Sequence, residues 1–162
     1  YVCNVDENSI VNGNSSSEKV NFKAKNDNDE TVIVSAAIES QIAEFSSEED
    51  KLELLKDLGL TETTLKKVIN AGYSILDLIT YFTCGPKETR AWTINKNTTA
   101  PQAAGKIHTD FEKGFIRAET ISYKDFIELG GEAASRETGK LKQEGKEYIV
   151  KDGDVMHFLF NV

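Results

Sequence analysis

Tyr1-Val2-Cys3-Asn4-Val5-Asp6-Glu7 and Thr31-Val32-Ile33-Val34-Ser35-Ala36 are the two stretches that decide the fold. Thr31 to Val34 is an unbroken β-branched run, the mark of a strand buried on both faces in a parallel sheet. Tyr1-Val2-Cys3 is a second apolar, strand-like run. Between them lie an Asn12-Gly13-Asn14 turn, a helix expected over 15–24 with Glu18, Lys19 and Lys23 outward, and a polar loop at 26–30. Strand, helix, strand is a crossover unit. In open α/β sheets ligands collect beyond the carboxyl ends of the strands. Asn4 to Glu7 and Ser35-Ala36 both occupy that edge, so Asn4, Val5, Glu7, Ser35 and Ala36 are the candidate binding residues.

Beyond Ala36 the pattern turns helical, with one segment expected over 38–45. Ser47 stands as an N-cap before Glu48, Glu49 and Asp50, whose charges suit the positive end of a helix. That helix carries Leu52, Leu54, Leu55 and Leu58 and stops at Gly59. Another is expected from about Glu62, with Leu65, Val68 and Ile69 turned inward, ending near Ala71-Gly72, and 73–79 forms a closing segment. The pattern changes near Thr80. Residues 81–84 and 90–94 are β-rich runs around Gly85-Pro86, which suits a hairpin. Pro101 opens a helix where its missing N–H costs nothing, with Ala103, Ala104, Ile107 and Phe111 on one side. Residues 115–121 read as an alternating strand and 122–129 as a short helix. Residues 148–150 and 155–160 flank the Asp152-Gly153 turn as a final hairpin. The second half is therefore expected to be a small mixed sheet with one main helix across it, a β-grasp or ubiquitin-like pattern.

Composition excludes several classes. Hydrophobic residues make up 39% and charged residues 28% of the chain, a globular balance, and no apolar run is long enough to span a bilayer. Cys3 and Cys84 lack zinc-ligand spacing and suggest buried free thiols in a reducing cytosol. Residues 1–79 hold 15 acidic and 7 basic side chains, a net of −8, a poor surface for nucleic acid. Residues 80–162 hold 12 of each and sum to zero. There Lys87, Arg90, Lys96, Lys106, Lys113 and Arg117 make either a local basic face or an ordinary mixed-charge surface. His108, Asp110 and Glu112 stand at spacings that a helix cannot converge on one ion. His108 reads as a surface hydrogen-bonding residue and His157 as a structural one.

The end of the first strand resembles the base reader of GTPases, Asn-Lys-x-Asp, and the second strand resembles their Ser-Ala-Lys. Val5 stands at the Lys position, Glu7 at the Asp position and Ala37 at the second Lys. No Gly-x-x-x-x-Gly-Lys-Ser/Thr occurs in the 162 residues, and the chain starts without Met, so it is read as the C-terminal part of a longer protein. Longer runs carry a closer likeness: Gly85-Pro86-Lys87-Glu88-Thr89-Arg90-Ala91-Trp92-Thr93-Ile94, the stretch from Ala100-Pro101-Gln102 through Ile107-His108-Thr109-Asp110-Phe111 to Gly114-Phe115, and Lys151-Asp152-Gly153-Asp154. With Asn4-Val5-Asp6-Glu7 they resemble the YchF or Obg-like ATPase family over essentially the whole chain. The resemblance implies an α/β fold: residues 1–79 as the C-terminal part of a P-loop NTPase parallel-sheet domain, and residues 80–162 as a β-grasp TGS domain. It also implies a cytoplasmic, ribosome-associated ATPase that prefers ATP over GTP and uses Mg²⁺, with ribosomal RNA and protein as partners.

The residues give that preference a physical account. A carboxylate at the Asp position accepts hydrogen bonds from guanine N1–H and its 2-amino group. Adenine has neither donor, and its N1 lone pair would face the anion. Glu7 is one methylene longer and can turn away, leaving base contacts to Asn4 and nearby backbone, while Val5 offers an apolar surface to the ring. A buried polar mismatch costs about 1–3 kcal/mol, enough to reverse a nucleotide preference. The alternative is an RNA- or protein-binding TGS module without catalytic activity. In either case the 162 residues alone, lacking phosphate-holding elements, are expected to hydrolyse nothing.

Overall fold

The computed structural model describes residues 1–161 and divides into two compact units, Tyr1–Ile75 and Leu76–Val162. In the first, β1 (Val2–Asn4) pairs in parallel with β2 (Val32–Val34) through helix α1 (Ser15–Asp27). This is the expected crossover, with α1 running three residues further. Asn14 caps α1 through its side chain, in a reciprocal box with Ser17, and Asn28 ends it at φ 60°. Helices α2 (Ala36–Glu44), α3 (Glu48–Asp57) and α4 (Thr64–Ile75) follow. Ile10, Ile38, Ile42, Leu55 and Leu60 form this unit's core.

Two expectations fail around α4. The helix starts at Thr64 and ends at Ile75 rather than spanning Glu62 to Gly72, and β3 begins directly afterwards at Leu78. Leu65 and Ile69 are 57% and 50% exposed, not inward. The start is set by Glu39 of α2, whose Oε1 accepts from the Thr64 N–H (2.6 Å), the Thr64 hydroxyl (2.7 Å) and the Leu65 N–H (3.1 Å). A carboxylate there satisfies orphan amides and suits the positive helix end.

The second unit is built on a five-stranded sheet in the order β4-β3-β7-β5-β6. Its strands are β3 (Leu78–Cys84), β4 (Thr89–Asn95), β5 (Phe115–Ser122), β6 (Lys142–Glu144) and β7 (Asp154–Phe160). Helices α5 (Ala100–Ile107) and α6 (Thr109–Lys113) connect β4 to β5. Two hairpin strands, a helix, and a last strand inserted in the middle make a β-grasp, as expected. Tyr81, Ile94, Ala103, Ala104, Phe115, Ala118, Met156 and Phe158 fill the core.

The expected closing hairpin is different. Residues 148–150 contribute one isolated bridge, Thr99 to Ile149. The Ala100 N–H donates to the Tyr148 carbonyl (2.8 Å) and the Val150 N–H to the Thr98 carbonyl (3.0 Å), which holds this segment against the start of α5, while the Asp154 carboxylate accepts from the Tyr148 hydroxyl (2.7 Å) and the Lys151 N–H (2.9 Å). The fifth strand is instead the polar Lys142–Glu144. The alternation expected in β5 is broken by a register shift between Phe115 and Arg117, which turns Phe115 and Ala118 to the same core. His157 is exposed rather than structural, and Cys3 and Cys84 are free but only half-buried.

On β5, Glu119 is buried and held by a two-point bond from Arg136, on the short helix Glu132–Glu137, at 2.7 and 3.3 Å. Those bonds hold the Glu119 carboxyl below its ordinary range, against a smaller opposing effect of burial. A depressed carboxylate stabilises the fold above its unfolded-state pKa and loses that contribution as pH falls through the folded value. Acid destabilisation of wild type should therefore set in below roughly pH 4.3, the ordinary glutamate value. Arg136→Met should lower the urea midpoint at pH 7 and flatten this acid limb, read by unfolding at a series of pH values.

Candidate nucleotide-base edge

β1 and β2 run in register, Val2 beside Val32, Cys3 beside Ile33, Asn4 beside Val34. The pairing continues one step, because the Val5 N–H donates to the Val34 carbonyl at 2.9 Å. Both strands thus end at one place, and the chain leaves them by two different turns. After β1, Asp6 caps a single 3₁₀ turn (Glu7–Ser9), accepting from the Ser9 N–H at 3.0 Å and its hydroxyl at 2.9 Å. After β2, Ser35 stands at the N-cap of α2 without a side-chain cap bond.

The two ends are tied together. Asn4 Oδ1 accepts from the Ala36 N–H at 3.0 Å, across 32 residues of sequence. That amide is one of the orphan donors of a helix start. With Oδ1 so used, the Nδ2 amide is the donor that the exposed Asn4 side chain can offer a ligand. Asn4, Glu7 and Ala36 are exposed, Val5 is half-buried and Ser35 is 0% exposed. Among the described residues the buried Ser35 hydroxyl has no hydrogen-bond partner.

Asn4, Val5, Ser35 and Ala36 lie at the adjoining ends of the two strands, with direct bonds from Asn4 to Ala36 and from Val5 to β2, and Glu7 follows in the 3₁₀ turn. Glu7 points elsewhere: its Oε1 accepts from Gln41 Nε2, on α2, at 3.0 Å. Gln41 and the helix-anchoring Glu39 escaped sequence reading. Their partners lie 34 and 25 residues away, so no local spacing marks them. The edge can bind by hydrogen bonding and apolar contact. It holds no nucleophile and base in contact.

In the second unit the His108 Nδ1 accepts from the Asp110 N–H at 3.2 Å and caps α6, a surface hydrogen-bonding role as expected. Among the described residues no group of three or more His, Cys, Asp or Glu could hold a metal ion, and no helix is long and apolar enough to cross a membrane.

Comparison with known proteins agrees with this architecture. The family model described as "YchF-GTPase_C: Protein of unknown function (DUF933)" matches residues 78–161. The chain is 56% identical over 162 residues to the Ribosome-binding ATPase YchF of Escherichia coli O157:H7, covering 100% of this chain and 44% of that protein. It is 50% identical over 164 residues to the Bacillus subtilis protein of the same name, again covering 44% of it, and 54% identical over 127 residues to Gallus gallus Obg-like ATPase 1, covering 78% of this chain and 32% of that protein. The chain thus spans less than half the length of these relatives. The solved structure of the Schizosaccharomyces pombe YchF GTPase superposes with a TM-score of 0.81 at 39% identity, over 98% of this chain and 42% of that one. A GTP-binding protein of Pyrococcus horikoshii shares the fold, with a TM-score of 0.65 at 16% identity, covering 94% of this chain and 44% of that one. The chain belongs to the YchF/Obg-like ATPase family and corresponds to the C-terminal part of its longer members.

Proposed function

We propose that this chain is part of a cytoplasmic, ribosome-associated protein that binds and hydrolyses ATP in preference to GTP. In this reading the first unit supplies the base-recognition edge of the nucleotide domain, and the second unit, which begins at Leu76 rather than at the expected Thr80, is a TGS domain that serves ribosomal contacts. The observation that carries it is the Asn4–Ala36 bond, which draws two parallel strand ends into one ligand edge. The relatives named as ribosome-binding ATPases support the activity and the partner.

The chemistry at the edge is division of labour. Asn4 Nδ2 can donate to purine N7, an acceptor that adenine and guanine share. Asn4 therefore selects a purine without choosing between the two. Val5 gives the ring an apolar neighbour. The choice falls to the Glu7 position, where guanine would need a carboxylate facing its N1–H and 2-amino group. Phosphate and magnesium binding call for a Gly-rich phosphate loop, a motif that these 162 residues do not contain. We place those functions in the N-terminal part that the relatives possess, and derive no step through them.

Titration calorimetry on the full-length protein tests the reading. ATP should bind about five- to a hundredfold more tightly than GTP, the worth of one mismatched buried polar contact. Tighter binding of GTP refutes it. The 162-residue chain alone should release no phosphate from ATP. The alternative of a purely RNA- or protein-binding module requires that the full-length protein bind no nucleotide at all.

A further inference from the structure

Glu7 stands where a guanine-reading carboxylate would stand, yet its position in the fold is set from behind. Its Oε1 accepts from Gln41 Nε2 at 3.0 Å. Gln41 lies in the second turn of α2, the helix whose first amide is already bonded to Asn4. Asp6, its neighbour, is committed to the 3₁₀ turn through the Ser9 amide and hydroxyl and leaves the edge to Glu7. One helix thus fixes two members of the candidate pocket: Asn4 at the helix start, Glu7 five residues after Ala36.

We infer that Gln41 is a specificity-determining positioning residue, holding the Glu7 carboxylate off the base edge so that the pocket accepts adenine. The inference rests on the purine-edge reading proposed above. A carboxylate released from Gln41 is free to rotate toward the base. There it accepts from guanine N1–H and the 2-amino group, and it repels the N1 lone pair of adenine. Releasing it therefore acts on the two nucleotides in opposite directions. A general loosening of the edge would weaken both alike, and the ratio separates the two cases. Gln41 is exposed, so its replacement leaves the core of this unit intact.

The test is the ratio of GTP to ATP dissociation constants in the full-length protein. Gln41→Leu removes the donor and should lower that ratio by about three- to tenfold, the worth of one net hydrogen bond. Gln41→Lys keeps a donor in reach of Glu7 and should leave the ratio within about twofold of wild type. Glu7→Leu removes the carboxylate, and adding Gln41→Leu to it should then change nothing further, closing a double-mutant cycle. The inference is overturned if Gln41→Leu leaves the ratio unchanged, weakens both nucleotides equally, or still shifts the ratio in the Glu7→Leu background. Wild type that prefers GTP, or binds neither nucleotide, overturns the purine-edge reading itself and this inference with it.

Discussion

Gly114→Ala should destabilise the second unit by about 2–3 kcal/mol, the cost of a forced overlap in a packed site. Gly114 ends α6, and its backbone is bonded on both sides. Its N–H donates to the Asp110 carbonyl and its carbonyl accepts from the Asn161 N–H, each at 2.9 Å. A Cβ here would run into the backbone carbonyl of Asn161. No side chain can rotate out of the way, because the obstacle is main chain at the end of β7. Its φ of −89° is open to any residue, so the requirement is one of space alone. Thermal unfolding should show Tm lowered by about 10 °C or more. Gly145→Ala is the control, since nothing lies within 4 Å of its Cβ position. That change should stay within about 0.5 kcal/mol. Equal effects of the two would sink the steric account.

Tyr81→Ala should cost more, about 4 kcal/mol, as expected for deleting a large ring from a closed core. Tyr81 is 0% exposed at the centre of β3. Its ring stacks with Trp92 at 6.5 Å and meets Phe158 edge-on at 5.9 Å, while its hydroxyl donates to the Ala103 carbonyl of α5 at 2.8 Å. Burial pushes the ionisation of that hydroxyl upward, so it stays a donor across the range of an ordinary unfolding experiment. Tyr81→Phe keeps the ring and strands one acceptor, at a cost of about 1 kcal/mol. Urea unfolding of both variants divides packing from tethering. A phenylalanine as damaging as alanine would show that the helix is held by the hydroxyl, not by the ring.

Much of this architecture is legible in the sequence because local and distant forces agree there. The β-branched run 31–34 and the turn at Asn12-Gly13-Asn14 specify the crossover, and a sheet edge follows from it. The misses have separate physical causes. Leu65 and Ile69 lie on a helical apolar stripe, and periodicity locates such a face without saying what covers it. Residues 148–150 have strong strand propensity, but it is spent on backbone bonds to 98–100 at the start of α5, outside the five-stranded sheet. Lys142–Glu144 is polar because it forms a sheet edge, where charge discourages pairing with other chains. At the candidate site, Asn4 and Ala36 were readable from order along the chain. Gln41 was not, since its bond to Glu7 exists only once two elements have packed.

The placement of β7 sets the order in which the second unit can form. It lies between β3 and β5, parallel to one and antiparallel to the other, yet every other strand of that sheet precedes it along the chain. During synthesis the β3–β4 hairpin and the β5–β6 pair emerge as separate halves, each with a bare edge where the central strand belongs. Pairing across such sequence distances closes long loops and slows folding. The sheet is therefore complete only when residues 154–160 stand between β3 and β5. Until then the β3 and β5 edges that will pair with it have no partner strand, the kind of unpaired edge that invites association with other chains.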